Sequence, residues 1–228
     1  MKKSEHNFYI TGIHIGNIHD ITGRAVQILT DSDFIVCEKE SEYRKLFGIL
    51  NIPLKKCIVC SSKNEEEAIY LTLELLAKGE TGALISDCGV PLFEDPGFKL
   101  VETIRKKGFS ITSVPGANSL ITSISLCPFK IKDFYFRGFI SRDKDDREGD
   151  VKKLTKRTEA IVIMESPHRL INILELLERY FPKRRIFLPI NLTMNNEFKL
   201  FGTATDLLNE VKRAGITKGE FLIIIQGI

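Results

Sequence analysis

Several signatures that would settle a function at once are missing from this 228-residue chain. There is no GxGxxG motif and no P-loop, so a dinucleotide fold or a nucleoside triphosphatase lacks support. There is no GxSxG elbow and no HExxH, which removes the usual signals of a hydrolase or a zinc protease. No apolar run approaches the ~20 residues of a membrane span, so no membrane partner is expected. Met1 to Asn7 is polar and lacks the apolar stretch of a signal peptide. Cysteine is sparse and odd in number, at Cys37, Cys57, Cys60, Cys88 and Cys127. Most of these lie in apolar runs, which fits reduced thiols in a cytoplasmic setting rather than a disulfide framework. Cys57 and Cys60 form a CxxC without a second pair or a His cluster, and Ile58-Val59 between them reads as strand, so no metal is expected. His6, His14 and His19 have no standard metal spacing. Charge of one sign is also lacking: 33 basic against 30 acidic residues leave a net +3. That surplus does not demand a nucleic-acid partner, though a local patch is compatible with it.

What is present is an alternation of strands and helices. The chain is long enough for one large α/β domain or two of about 110 residues. Its 43% hydrophobic content is ordinary for a globular protein. Strands are predicted at Phe8–Ile13, Phe34–Cys37, Lys56–Cys60, Gly82–Ile85 and Ser110–Ser113. Helices are predicted between them over 20–31, 42–50, 64–78 and 98–107, with Asn64 as the cap of the third. This βα series is the pattern of a mostly parallel sheet. Val114-Pro115-Gly116-Ala117-Asn118 breaks it, and the chain is divided there into domains 1–114 and 115–228. The second half carries strands at 134–139, 160–164, 185–188, 199–202 and 220–226, several too close for a crossover helix, so a mixed sheet is expected. Ser141 to Arg157 holds seven basic and five acidic residues and reads as a loop entering a solvated helix. Its balanced signs weaken any reading as a phosphate-binding arm. Pro182-Lys183-Arg184-Arg185 reads as a solvated basic turn.

Two clusters could carry chemistry. Ile85 to Gly97 follows a short buried strand and combines Asp87 with glycines and prolines. Ligands in open α/β sheets bind beyond the carboxyl ends of strands, so this loop is a candidate cradle. It is equally an ordinary βα turn in which Asp95-Pro96 starts the next helix. Glu165-Ser166-Pro167-His168-Arg169 also follows an apolar strand. It offers a general base and an anion-binding group, or a Ser-Pro helix start with Glu165 and Arg169 in a structural ion pair. Gly16, just after the first strand, permits close backbone approach to a ligand.

Taken together, the motifs resemble a known family. They are Ile13 to Ala25, Ser86-Asp87-Cys88-Gly89-Val90-Pro91, Val114-Pro115-Gly116, Phe136-Arg137-Gly138-Phe139, Glu165 to Arg169, and Lys218-Gly219-Glu220-Phe221, in that order. The chain resembles the tetrapyrrole methylase superfamily, the class III S-adenosylmethionine-dependent methyltransferases. Within it, it is most similar to the bacterial small-subunit ribosomal RNA cytidine 2′-O-ribose methyltransferases, from Phe8 to Gly227. The resemblance implies two α/β domains, an S-adenosylmethionine cofactor in the cleft between them, and a homodimer. It implies cofactor contacts from Ile13, Gly16, Asp87, Gly89, Val90, Ser119, Leu120, Met164, Leu192 and Phe221. Glu165 and His168 are the candidates to take the proton of a ribose hydroxyl. Glu38 and Arg169 are placed on the substrate side, with ribosomal RNA or the small ribosomal subunit as partner.

The chain also departs from that pattern. Where the ribosomal RNA enzymes carry Cys-Glu-Asp-Thr-Arg, it has Cys37-Glu38-Lys39-Glu40-Ser41. Their His-Glu-His-Asn-Glu becomes Ser61-Ser62-Lys63-Asn64-Glu65, and their Glu-Leu-Thr-Lys becomes Asn191-Leu192-Thr193-Met194. The small C-terminal extension of many relatives is not seen after the last strand. These departures fall on polar motifs, while Asp87 and the glycines persist. A small-molecule methyltransferase, for instance on a tetrapyrrole, and a non-catalytic paralogue that binds cofactor therefore stand beside the ribosomal RNA reading.

Overall fold

The computed structural model describes residues 6–228, so the first five residues of the polar N-terminal segment lie outside it. The chain forms two compact units, the first ending at Asn118 and the second running Ser119–Ile228.

The first unit alternates β1 (Phe8–Thr11), α1 (Gly23–Asp31), β2 (Phe34–Cys37), α2 (Glu40–Ile49), β3 (Lys56–Val59), α3 (Glu65–Ala77), β4 (Gly82–Leu84), α4 (Phe98–Lys106) and β5 (Ile111–Val114). All its strands are parallel, in the order β3-β2-β4-β1-β5. The central strands β1, β2 and β4 are buried on both faces, which is why they read as continuous rather than alternating, while the edge strands β3 and β5 are only partly covered. On one face Ala25 and Leu29 of α1 and Tyr43, Leu46 and Phe47 of α2 pack on Tyr9, Ile35, Ala83 and Val114. On the other, α3 and α4 bury Ala68, Leu76, Leu100 and Ile104 against Phe8, Phe34, Val36 and Leu84. Helix α1 starts later than the periodicity predicts: Thr22 caps it by accepting from the Ala25 N–H at 3.1 Å, and Ile18–Asp20 forms a separate 3₁₀ turn. Asn64 occupies the cap position of α3, but its side chain does not cap. It accepts from the Ser61 N–H and Oγ at 2.8 and 2.6 Å and donates to the Val59 carbonyl, tying off β3 instead.

The second unit contains α5 (Ser119–Leu126), β6 (Phe134–Phe139), α6 (Lys144–Leu154), β7 (Ala160–Glu165), α7 (Leu170–Tyr180), β8 (Ile186–Ile190), β9 (Phe198–Gly202), α8 (Ala204–Arg213) and β10 (Phe221–Ile225). Its sheet has the order β6-β7-β10-β8-β9, with β6 parallel to β7 and every other pairing antiparallel. Helices α6, α7 and α8 cover one face through Val151, Leu174, Leu177, Leu207 and Val211. Leu120 of α5 joins Val162, Phe187, Leu222 and Ile224 on the other. The basic turn at 182–185 is not simply solvated. Arg184 donates to the carbonyls of Arg157, Glu159 and Gln226 at 3.0, 3.0 and 2.6 Å, and Arg185 lies 4.1 Å over the Phe201 ring. A guanidinium satisfies three converging carbonyls because its donors are fixed in a planar fork. Among the described residues no helix is long and apolar enough to cross a membrane.

Candidate functional site

The first sheet has one place where its connections diverge. From β1 the chain crosses toward β2 on one side, and from β4 it crosses toward β5 on the other, while β1 and β4 are hydrogen-bonded neighbours. Beyond their carboxyl ends the following segments leave toward opposite faces, and open α/β sheets bind ligands at such a point, here called the β1–β4 crevice. The residues lining those ends are Ile13 to Gly16 after β1 and Ser86 to Val90 after β4. Backbone bonds lock the two segments together: the Ile13 N–H donates to the Gly89 carbonyl and the Gly89 N–H to the His14 carbonyl, each at 2.8 Å. The turn after β5 comes equally close. A Cβ on Gly12 would sit 2.7 Å from the Gly116 nitrogen, and one on Gly116 would sit 2.4 Å from the Gly12 carbonyl carbon. Three strand exits thus meet backbone to backbone, and only glycine permits the contact at those two positions.

Carboxylates gather beside this crevice. Asp87 is paired with Lys39, which follows β2, the neighbour of β4. Glu38 and Asp95 border a small cavity with Ser86 and Pro91. Burial pushes the Asp95 carboxyl up to about 6, and the negative charges of Glu38, Asp87 and Glu94 add to the effect. Helix α4 does not begin at Asp95-Pro96, as its sequence reading allows. It starts at Phe98 behind Gly97, whose φ of 108° only glycine adopts without strain. Leu92 and Glu94 take φ of 71° and 68°, so the loop is strained as well as shaped.

In the second unit, β6, β7 and β8 run one way and β10 the other. The carboxyl ends of the first three therefore share a sheet edge with the start of β10. Register places Phe139 beside Met164, Phe221 beside both Glu165 and Ile190, and Met164 opposite Leu222. Leu192 follows β8 at this same edge and is buried. Leu120 and Met164 share one apolar cluster, and Ser119 opens the helix that carries Leu120. Asn191, with φ of 52°, accepts through Oδ1 from the Glu220 N–H at 2.9 Å and anchors the loop to β10. Asn is among the residues that take this left-handed conformation at low cost.

The side chain of Glu165 is fully buried and ion-paired with Arg169, and it accepts from the Ser166 N–H at 2.6 Å. Its second oxygen, Oε2, has no hydrogen-bond partner, and burial raises its pKa against the pull of that N–H and of Arg169. Arg169 also reaches the Ser141 carbonyl and Ser166 Oγ at 3.1 and 3.0 Å. His168, one residue earlier, is exposed. The structural ion pair and the strand-end placement both hold here, so Glu165 is committed while His168 faces solvent.

Residues 7–208 match the profile of the tetrapyrrole (corrin/porphyrin) methylases. The chain belongs to the tetrapyrrole methylase family. The ribosomal RNA small subunit methyltransferase I of Leptospira biflexa is 32% identical to it over 98% of this chain and 92% of its own. That of Borrelia garinii is 34% identical over 95% and 97%, and that of Bacillus subtilis 30% identical over 96% and 74%. Among solved structures, a cobalt precorrin-4 methyltransferase of cobalamin biosynthesis superposes with a TM-score of 0.70 at 15% identity, covering 96% of this chain and 94% of that one. A uroporphyrin-III C-methyltransferase from Thermus thermophilus gives 0.65 at 17%, covering 96% and 93%. At those identities the likeness is one of fold, two α/β units with a parallel and a mixed sheet.

For this methyltransferase, the first-unit candidates Ile13, Gly16, Asp87, Gly89 and Val90 all fall at the divergence of β1 and β4, with Glu38 on the adjoining strand exit. The second-unit candidates Met164, Leu192 and Phe221 share one edge, with Glu165, His168 and Arg169 directly after β7. Sequence reasoning missed Gly12, Lys39 and Asp95. Asp95 stood within the loop singled out after β4, and Gly116, the partner of Gly12, within the Val-Pro-Gly motif, so both could have been found there. Lys39 stood in the segment that departs from the related Cys-Glu-Asp-Thr-Arg motif, but its pairing carried no signal, because Asp87 is 48 residues away.

Proposed function

We propose that this member of the family transfers a methyl group from S-adenosylmethionine to a ribose 2′-hydroxyl of small-subunit ribosomal RNA, as a cytoplasmic homodimer. The crevice between β1 and β4 carries the proposal, because its chemistry suits that donor. Backbone amides and carbonyls of Ile13, His14 and Gly89 frame it, and Glu38, Asp87 and Asp95 set negative charge beside it. S-adenosylmethionine supplies an electrophilic methyl on a cationic sulfonium, and a carboxylate-rich wall complements such a ligand. Ile13, Gly16, Asp87, Gly89 and Val90 hold the donor in the first unit. To admit it, Asp87 exchanges its Lys39 partner for the ligand.

Displacement at a methyl carbon depends on alignment of nucleophile, carbon and leaving sulfur, so rigid strand exits contribute directly to rate. In the second unit, Met164, Leu192 and Phe221 with Ser119 and Leu120 supply a largely apolar wall. His168, exposed after β7, takes the hydroxyl proton. Glu165 is a positioning residue: through Arg169 it fixes the turn on which His168 sits. The names of the relatives, which cover nearly the whole chain, support small-subunit ribosomal RNA as the acceptor, and the ribose hydroxyl follows from the resemblance of the motifs.

Mass spectrometry of small-subunit RNA from a strain lacking this gene should show one 2′-O-methyl ribose lost, and complementation with the wild-type chain should restore it. Unchanged ribose methylation overturns the acceptor. Calorimetry with S-adenosylhomocysteine tests the donor separately, and Asp87→Ala should weaken that binding at least tenfold.

A further inference from the structure

The segment Ser141 to Arg157 looks electrically balanced in sequence, but its charges are not balanced in space. Asp143 is used as the cap of α6, its Oδ1 accepting from the Asp145 and Asp146 N–H groups at 2.9 and 3.1 Å. Asp150 pairs with Arg137 at 2.5 Å and with Lys153 at 3.6 Å. Glu148 accepts from the Tyr180 hydroxyl at 2.7 Å and pairs with Arg179 at 3.4 Å. Helical spacing puts Lys144, Arg147 and Glu148 on one face of α6, and Asp145 and Asp146 off it. That face meets Asn172, Glu175 and Arg179 of α7 across a groove of about 350 Å³. Three cations line it against two carboxylates, and the pairing of Glu148 with Arg179 leaves Lys144 and Arg147 against Glu175. Among the described residues Lys144 has no carboxylate within ion-pairing distance, and Arg147 carries a buried Nε without a partner.

The groove is also well placed. Helices α6 and α7 follow β6 and β7, so both begin at the sheet edge that carries Met164, Glu165 and Phe221. The bond from Arg169 to the Ser141 carbonyl ties the two helix entries together at that edge.

We propose that the groove between α6 and α7 holds the phosphodiester backbone of the RNA acceptor, an inference that rests on the RNA reading above. Lys144 and Arg179 take phosphates at its rim and Arg147 lies at its floor. Asn172 and Glu175 accept from ribose 2′-hydroxyls, groups that DNA lacks. Arginine and lysine are the residues that bind phosphate, and removing either one makes binding measurably less sensitive to salt.

The test is fluorescence anisotropy of the full chain with a labelled small-subunit ribosomal RNA fragment over a series of salt concentrations. For Lys144→Gln/Arg179→Gln the slope of log affinity against log salt should fall by about 1.4, the equivalent of two single-strand phosphates no longer neutralised. The charge-conserving Lys144→Arg/Arg179→Lys should keep the wild-type slope, and S-adenosylhomocysteine binding should be unchanged in both. RNA binding with an undiminished slope in the glutamine variant overturns the groove alone. A wild-type chain that binds S-adenosylhomocysteine but no RNA overturns the acceptor reading, and the groove with it.

Discussion

Asp95 is a carboxyl held where ionisation is unfavourable, half-buried beside Glu38, Asp87 and Glu94, with Lys39 as the nearby cation. Its folded pKa of about 6 lies above the ordinary ~3.9 of an unfolded aspartate. The native state therefore favours the protonated form. Its contribution is fully present below about pH 4, is lost as pH rises toward 6, and stays absent above that. Asp95→Asn mimics the protonated form, so at pH 7 it should be more stable than the wild type by about 1–2 kcal/mol, the full linkage value being reduced by solvent screening. Urea denaturation at pH 7 and pH 4 checks this. The gain should vanish at the lower pH, and an equal gain at both would mean that charge is not the cause. Such a carboxyl, on a loop with left-handed Leu92 and Glu94, fits the binding role proposed for that loop.

The strand exits of the first unit depend on glycine at two places that face each other. A Cβ on Gly12 meets the Gly116 nitrogen and Cα at 2.7 and 2.8 Å, both backbone atoms that cannot swing aside. Gly12→Ala should therefore push apart the turns after β1 and β5, costing about 1–3 kcal/mol as overpacking does, and should weaken S-adenosylhomocysteine binding as well. Gly23→Ala is the control, because a Cβ there meets nothing within 4 Å. Thermal melts and calorimetry on both variants check it, and equal behaviour of the two would remove the stitch between the turns. The elements themselves were legible in the sequence: β2 and β6 fall at the predicted bounds, because short apolar or aromatic runs between charged residues leave the chain few alternatives. What joins the elements was not legible. The close approach of Gly12 to Gly116, the Lys39–Asp87 pair and the carbonyl clamp at Arg184 bring together residues far apart in the chain. Local pattern carries no record of such partners. Asn64 shows the same limit at short range, where a good capping residue spends its side chain on the preceding turn.

Each unit of the molecule encloses its own core, with two apolar clusters on the faces of the first sheet and two on those of the second. The crevice assigned to the donor, by contrast, belongs to the first sheet, since both loops that frame it leave β1 and β4. This asymmetry separates the molecule's stability into parts that a ligand can address unequally. A ligand bound only to the native state at 100 times its dissociation constant adds about 2.7 kcal/mol. For a domain of the first unit's size that is a rise in Tm of roughly 10–20 °C, and for a chain unfolding as one cooperative block of 228 residues about 5–10 °C. Scanning calorimetry with saturating S-adenosylhomocysteine distinguishes the two. If the units melt separately, one transition should move by the larger amount and the other by less. If they melt together, the single transition should move by the smaller amount. In either case Asp87→Ala should suppress most of the shift. Retention of the full shift in that variant would place the donor away from the β1–β4 crevice, and with it would fall the first-unit contacts assigned to Gly16, Gly89 and Val90.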